Sequence, residues 1–242
     1  MLRCPILCAS GGGAGAGKTR SNAAVMDRAS GKVQLRVCVN KTCKRQGSEL
    51  VLRFAQDLSI PNLEAESCGC LGQCGNGPNM ILLPSETFVR HVSTPADMAE
   101  VINRECEVVI SEDMLRATEL RQMGNALARS GDLKGAEAKF TEALGLGVAE
   151  SYYLLYSNRS GVRLSLGDRE GVLDDALLAV KHSPKGFTTA HIRLIDAHYI
   201  RKEFRQAQAA LEVLIQKNPE FKRTNDYKLI ARQLEKDLHT AA

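Results

Sequence analysis

No stretch of the chain approaches the ~18 consecutive apolar residues that a membrane-spanning helix requires, which argues against a transmembrane protein and a membrane partner. An excess of positive charge is also missing from most of it. The formal charge is +4, but residues 1–36 carry Arg3, Lys18, Arg20, Arg28, Lys32 and Arg36 against Asp27, so the remainder is close to −1. A broad basic face able to neutralise phosphates is therefore not expected, and neither is a nucleic-acid partner. The five histidines, His91, His182, His191, His198 and His239, form no ligand motif. No nucleophile, base and orienting acid stand at a recognisable spacing, so a self-sufficient enzyme is not expected. What the 242 residues do supply is 44% hydrophobic content, enough for one or two packed domains.

Residues 1–31 hold a glycine-alanine run, scattered serine and threonine, four basic residues and one acid. This composition cannot bury enough apolar surface to offset chain entropy and reads as a disordered or removed leader. Basic, hydroxylated and acid-poor is the pattern of an organellar transit peptide, with the chloroplast stroma expected first and the mitochondrion second. Gly12 to Thr19, GGAGAGKT, matches a phosphate-binding loop formally. Such a loop needs a buried strand before it and a helix after it. Only about ten residues precede this one, Pro5 among them, so no nucleotide partner is expected.

Two separated cysteine pairs dominate the next segment: Cys38 and Cys43 in VCVNKTC, Cys70 and Cys74 in CGCLGQCGNGPN. Two soft thiolates per iron, on glycine-rich loops brought together by a fold, are how an iron-sulfur cluster is held. A zinc site, two disulfides or inert thiols are the other readings of the same residues. Around the pairs, alternation in KVQLRVCV predicts a strand. QGSELVLRFAQDLS predicts a helix capped by Ser48, with Leu50, Phe54 and Leu58 on its core face. LEAES, MILLP and TFVRHV read as short strands. Thr94-Pro95-Ala96-Asp97 reads as the capped start of a second helix that turns Met98, Val101 and Ile102 inward.

With C-x4-C, then C-x3-C and a trailing Gly-Pro-Asn, residues 32–110 resemble the thioredoxin-like 2Fe-2S ferredoxins. The resemblance implies a thioredoxin-like α/β domain in which Cys38 and Cys43 bind one iron of a 2Fe-2S cluster and Cys70 and Cys74 the other. Zinc is the alternative metal. Lys41, Lys44 and Arg45 flank the first pair and are expected to favour an anionic cluster, while the glycines let backbone amides approach sulfur. Cys68, two residues before Cys70, departs from the pattern as a spare thiol, a substitute ligand or a redox partner. Cys106 fits an inert thiol better, and Cys4 and Cys8 fall in the leader.

Residues 114–242 are helical and repetitive. Turn positions Gly131, Gly167 and Lys202 lie 36 and 35 residues apart, near the 34-residue period of tetratricopeptide repeats. Gly124 and Ser160 are the small residues at helix crossings, with Ala136, Val172 and Ala207 at the next contact and Phe140 and Leu211 in the layer beyond. Pro184 and Pro219 close units, and a terminal helix with Phe221, Tyr227, Leu229, Ile230 and Leu234 caps the all-α stack of three helix pairs. The second unit, with LYSNR followed by GD, resembles the chaperone-binding subclass of tetratricopeptide domains that clamp a C-terminal carboxylate. The resemblance implies a groove for a protein partner, an acidic C-terminal peptide, lined by Arg121, Asn125, Asn158 and Arg193. Thr189 stands where that clamp has a lysine, and Arg121 replaces another. The combined expectation is a 2Fe-2S redox adaptor that docks a partner. A co-chaperone-like interaction protein with a zinc-bound or metal-free cysteine domain, or a subunit of an oxidoreductase complex, are the alternatives.

Overall fold

A computed structural model describes residues 33–58, 60, 62–106 and 108–240. The leader, its phosphate-loop match, Cys4 and Cys8 lie outside the described residues. The chain divides into two compact units at Thr118.

The first unit is a small sheet with helices. Strand β1 (Val33–Cys38) runs parallel to β2 (Leu63–Cys68) and antiparallel to β3 (Met80–Leu83), and β3 pairs antiparallel with β4 (Thr87–Val89), giving the order β2-β1-β3-β4. A short helix, α1 (Lys41–Arg45), and a longer one, α2 (Ser48–Leu58), make the crossover from β1 to β2, and α3 (Pro95–Glu105) follows β4. In register, Leu35 faces Leu82 and Val37 faces Met80; these four join Val51, Leu52, Ala55 and Leu58 of α2 and Met98, Val101 and Ile102 of α3 in one core. Helix α3 begins as its sequence predicts. Thr94 accepts from the Asp97 amide while Asp97 accepts from the Thr94 amide, a reciprocal cap behind Pro95.

Helix α2 departs from expectation. Leu50 is 56% exposed and Phe54 only half-buried, whereas Val51, Leu52 and Ala55 face the core with Leu58. The start of the helix differs as well. The carbonyl of Gly47, in a left-handed conformation, accepts from the Leu50 and Val51 amides, so Gly47 and not Ser48 caps the helix, and Ser48 lies buried inside the first turn.

The second unit is helical: α4 (Glu112–Ser130, whose first turns belong to the sheet unit), α5 (Leu133–Gly145), α6 (Tyr152–Leu166), α7 (Arg169–His182), α8 (Thr188–Ile200), α9 (Phe204–Lys217) and α10 (Asn225–Thr240). From α5 onward each helix packs on the next, and α6 also touches α8. The repeat is visible in the turns. Gly131, Gly167 and Lys202 all have positive φ, at 92°, 83° and 63°. After the first two, Asp132 and Asp168 cap α5 and α7 by accepting from Gly135 and Gly171, and Glu203 after Lys202 makes no such bond. The crossings are as close as the small residues suggest: a Cβ on Gly124 would stand 2.6 Å from the Phe140 ring, and the Ser160 hydroxyl donates to the Val172 carbonyl.

The terminal cap is partly different from expectation. Ile230 and Leu234 are buried, but Leu229 points to solvent at 54% exposure, and Phe221 belongs to a short 3₁₀ turn (Pro219–Arg223) before α10. One ionic knot ties three helices. Arg159 and Arg163 of α6 both hold Asp175 of α7, which is 1% exposed; Arg159 also donates to Thr141 of α5, and Arg163 to Glu137 of α5.

Candidate functional site

Strand β1 delivers Cys38 to the end of the sheet, and Asn40 caps α1 by accepting from the Lys41 amide, which sets Cys43 one turn further on. Both thiols are buried, whereas Cys70 and Cys74 sit exposed in the loop between β2 and β3. That loop folds back through Asn79. Its carbonyl accepts from the Cys38 amide, and its side-chain amide donates to the Gln73 carbonyl at 2.8 Å and leans toward the Cys43 sulfur at 3.7 Å. Asn79 thereby joins the end of β1, helix α1 and the Cys70–Cys74 loop. The sequence marks it as the last residue of the trailing Gly-Pro-Asn, but gives none of these contacts.

The sulfurs form a connected row. Cys38 hydrogen-bonds with Cys43 and with Cys70, and Cys70 lies 3.9 Å from Cys74. Two thiolates on one tetrahedral metal stand roughly 3.8 Å apart, as bonds of about 2.3 Å require. Among the described residues no group of three or more His, Cys, Asp and Glu side chains is placed to hold a metal ion as it stands. Backbone amides converge on the row: Gly72 donates to the Cys70 sulfur at 3.4 Å, and Asn40 and Leu71 to that of Cys38. Burial alone would raise the Cys38 thiol. Those amides, with the neighbouring thiols of Cys43 and Cys70, instead hold it below the ordinary range. Cys43 is pushed up, first by burial and then by Cys38. Hydrogen bonding to Cys70 raises Cys74.

Gly77 must be glycine for a packing reason, since a Cβ there would fall 2.9 Å from the Cys43 sulfur and 2.5 Å from the Gln46 side-chain oxygen. Cys68, opposite Cys38 in the β1–β2 register, is raised chiefly by burial and stays outside the hydrogen-bonded row. Cys106 ends α3, half-buried against the sheet core. Of the flanking cations, Lys44 is taken up by Glu49 at 2.7 Å.

In the helical unit, Asn125 on α4 and Asn158 on α6 are hydrogen-bonded to each other at 3.0 Å. One turn along α6, Gly161 leaves room for the Arg193 guanidinium of α8, which lies 3.2 Å from where a Cβ would stand. The three residues therefore make one row across alternate helices. Arg121 is buried and already engaged, so it does not extend that row as an open cation, and Thr189 stands exposed one turn before Arg193. Arg193 donates to Asp196 at 3.3 Å. Asp196 is 2% exposed, and burial pushes its carboxyl up to about 7 against the pull of Arg193.

The raised Asp196 has a measurable consequence. The folded chain binds a proton there that the unfolded chain releases near 4, so this contribution to stability is full below pH 4 and is lost as pH rises through about 7. Across that window the loss is on the order of 4 kcal/mol. Asp196→Asn is expected to flatten the fall and to be more stable than the parent at pH 8, as read by urea unfolding at pH 5 and 8. Equal slopes for the two proteins would refute it.

No known protein family's profile matches the chain. Over 110 residues, 46% of this chain, the sequence is 33% identical to Protein STIP1 homolog of Dictyostelium discoideum. The match spans 19% of that protein, so the matched part of this chain covers about a fifth of its relative's length.

Proposed function

We propose that the chain is a co-chaperone-like docking protein whose tetratricopeptide-like helical unit receives a protein partner, an acidic peptide ending in a free carboxylate. The row of Asn125, Asn158 and Arg193 across α4, α6 and α8 carries this reading: amides and a guanidinium on alternate helices offer donors to an extended peptide at successive positions. The partial identity to Protein STIP1 homolog supports it. Fluorescence anisotropy with an acidic peptide tests it. Saturable binding is expected, with loss when the terminal carboxylate is amidated. Asn125→Ala combined with Arg193→Ala is expected to weaken binding about tenfold or more, the scale of one charge-assisted hydrogen bond. An unchanged affinity in that double variant would remove the clamp.

A second reading concerns the cysteine row. We propose that Cys38 with Cys43, and Cys70 with Cys74, hold a 2Fe-2S cluster in a thioredoxin-like domain, zinc being the alternative. A parallel β-α-β half followed by an antiparallel β-β-α half supports the fold. The donor set suits the group: a 2Fe-2S centre asks for two sulfurs on each iron, so pairs and not a triad are what its ligands present. When bound, the cluster would supply one-electron transfer. The chain's own part is to aim amide N–H groups of Gly72, Asn40 and Leu71 at sulfur, which favours thiolate over thiol. Plastid localisation is also a proposal, resting on the composition of residues 1–31.

A further inference from the structure

Arg193 and, one turn further along α8, Asp196 are joined through Nη1 and Oδ2 at 3.3 Å. The other carboxyl oxygen, Oδ1, and the guanidinium Nε are both buried and without a hydrogen-bond partner among the described residues. Arg159 and Asp175 show what the complete arrangement looks like, with Nε and Nη2 each donating to its own carboxylate oxygen at 2.9 and 2.8 Å. The Arg193–Asp196 contact is half of such a fork. Asp196 is 2% exposed and the Arg193 side chain 24% exposed, so the arginine spans from a buried carboxyl to the open side of the helix.

The surroundings leave this pair to itself. On α6, Arg159 and Arg163 are turned to Asp175 of α7. The other charged side chains of α7, and Arg205, Glu212 and Lys217 of α9, are exposed. From α10, Asp237 is taken up by Tyr199 and Gln233, and on the far turn of α8 His198 pairs with Glu203. Arg193 is accordingly the charge that acts on Asp196, and it offsets burial only in part, which is why the carboxyl gains and loses its proton near neutral pH.

We propose that Asp196 is a positioning residue that competes with the terminal carboxylate of a docked peptide for Arg193. The inference rests on the docking reading of the Asn125–Asn158–Arg193 row. With Asp196 ionised, an incoming carboxylate must share the guanidinium with a buried anion. With Asp196 neutral, the guanidinium is uncommitted and the full charge-assisted bond is open to the peptide. The peptide's own charge favours the neutral form further, so docking takes up a proton from solvent. Affinity is full below pH 7 and falls as pH rises through it.

Anisotropy of rhodamine-labelled penta-aspartate with a free C-terminus, titrated with the full chain at pH 6 and 8, tests the proposal. Its carboxylates are ionised at both values. The parent is expected to bind several-fold more weakly at pH 8, with about tenfold as the limit for one linked proton. Asp196→Asn is expected to bind equally at the two pH values and several-fold tighter than the parent at pH 8, a pattern that a merely structural role would not produce. Calorimetry on the parent at pH 7, in phosphate and in Tris, is expected to show uptake of about half a proton per peptide, and this reading needs no variant. Saturable binding by the parent with the same affinity at pH 6 and 8, no proton uptake, or an unchanged pH profile in Asp196→Asn would each overturn this inference and leave the docking reading standing. Absence of saturable binding at both pH values would overturn the two together.

Discussion

Asp175→Ala is expected to lower the unfolding free energy of the helical unit by about 3–5 kcal/mol, the cost of removing one partner from a buried ion pair. The carboxylate accepts from Arg159 through both oxygens, at 2.9 and 2.8 Å, and from Arg163 at 3.1 Å. Without it two guanidinium groups, one only 13% exposed, lose their shared acceptor between α6 and α7. Thr141 and Glu137 of α5 then satisfy only part of each arginine. Urea unfolding followed by far-ultraviolet circular dichroism reads the effect. The double substitution Arg159→Met/Asp175→Leu is expected to recover much of the loss, because apolar groups of similar volume owe no desolvation cost. Glu220→Ala, which breaks an exposed pair with Arg223, should change little. A loss below about 1 kcal/mol for Asp175→Ala would mean that the knot is not holding the helices together.

The second large effect concerns the sulfurs. After anaerobic reconstitution with iron and sulfide, the parent chain is expected to show visible absorption and a reduced EPR signal of a 2Fe-2S centre. Cys38→Ser and Cys70→Ser are each expected to abolish both, because each takes one thiolate from a different pair. Cys68→Ser is expected to retain them, since its sulfur stands outside the hydrogen-bonded row. Asn79→Ala should weaken cluster retention without removing a ligand, because Asn79 ties the Cys70–Cys74 loop to α1. A colourless preparation that carries zinc would sink the electron-carrier reading, and loss of the centre in Cys68→Ser would reassign the ligands.

Much of the local structure was legible because its causes are local. The α3 cap is written in four consecutive residues, Thr94 to Asp97, and short-range hydrogen bonds suffice to form it. The repeat was legible for a similar reason: Gly131 and Gly167 meet the need for a left-handed turn cheaply, and their spacing returns with each helix pair. Lys202 keeps the same backbone conformation without glycine, so period, and not residue type, identified the third turn.

Where distant residues compete, the chain's order was silent. The face that α2 buries is centred on Val51, Leu52 and Ala55, with Leu58 kept from the expected stripe and Leu50 turned out, because the sheet and α3 decide which side of the helix meets the core. Arg159 and Arg193 illustrate the same gap. Both lie on helices of a repeat, and the linear order names no partner for either. Packing turned Arg159 inward to Asp175 and laid Arg193 across Gly161 beside a carboxyl that burial has pushed well above the usual carboxylate range. Spacing alone could say that four thiols were available in two pairs. Bringing Cys38 to Cys70 needed β1 to pair with β2 and β3 and needed Asn79 to fasten the loop, and those contacts join residues thirty or more positions apart. Short-range propensities act between neighbours, whereas burial and charge pairing are properties of the folded chain, which is why the former could be read in advance and the latter had to be seen.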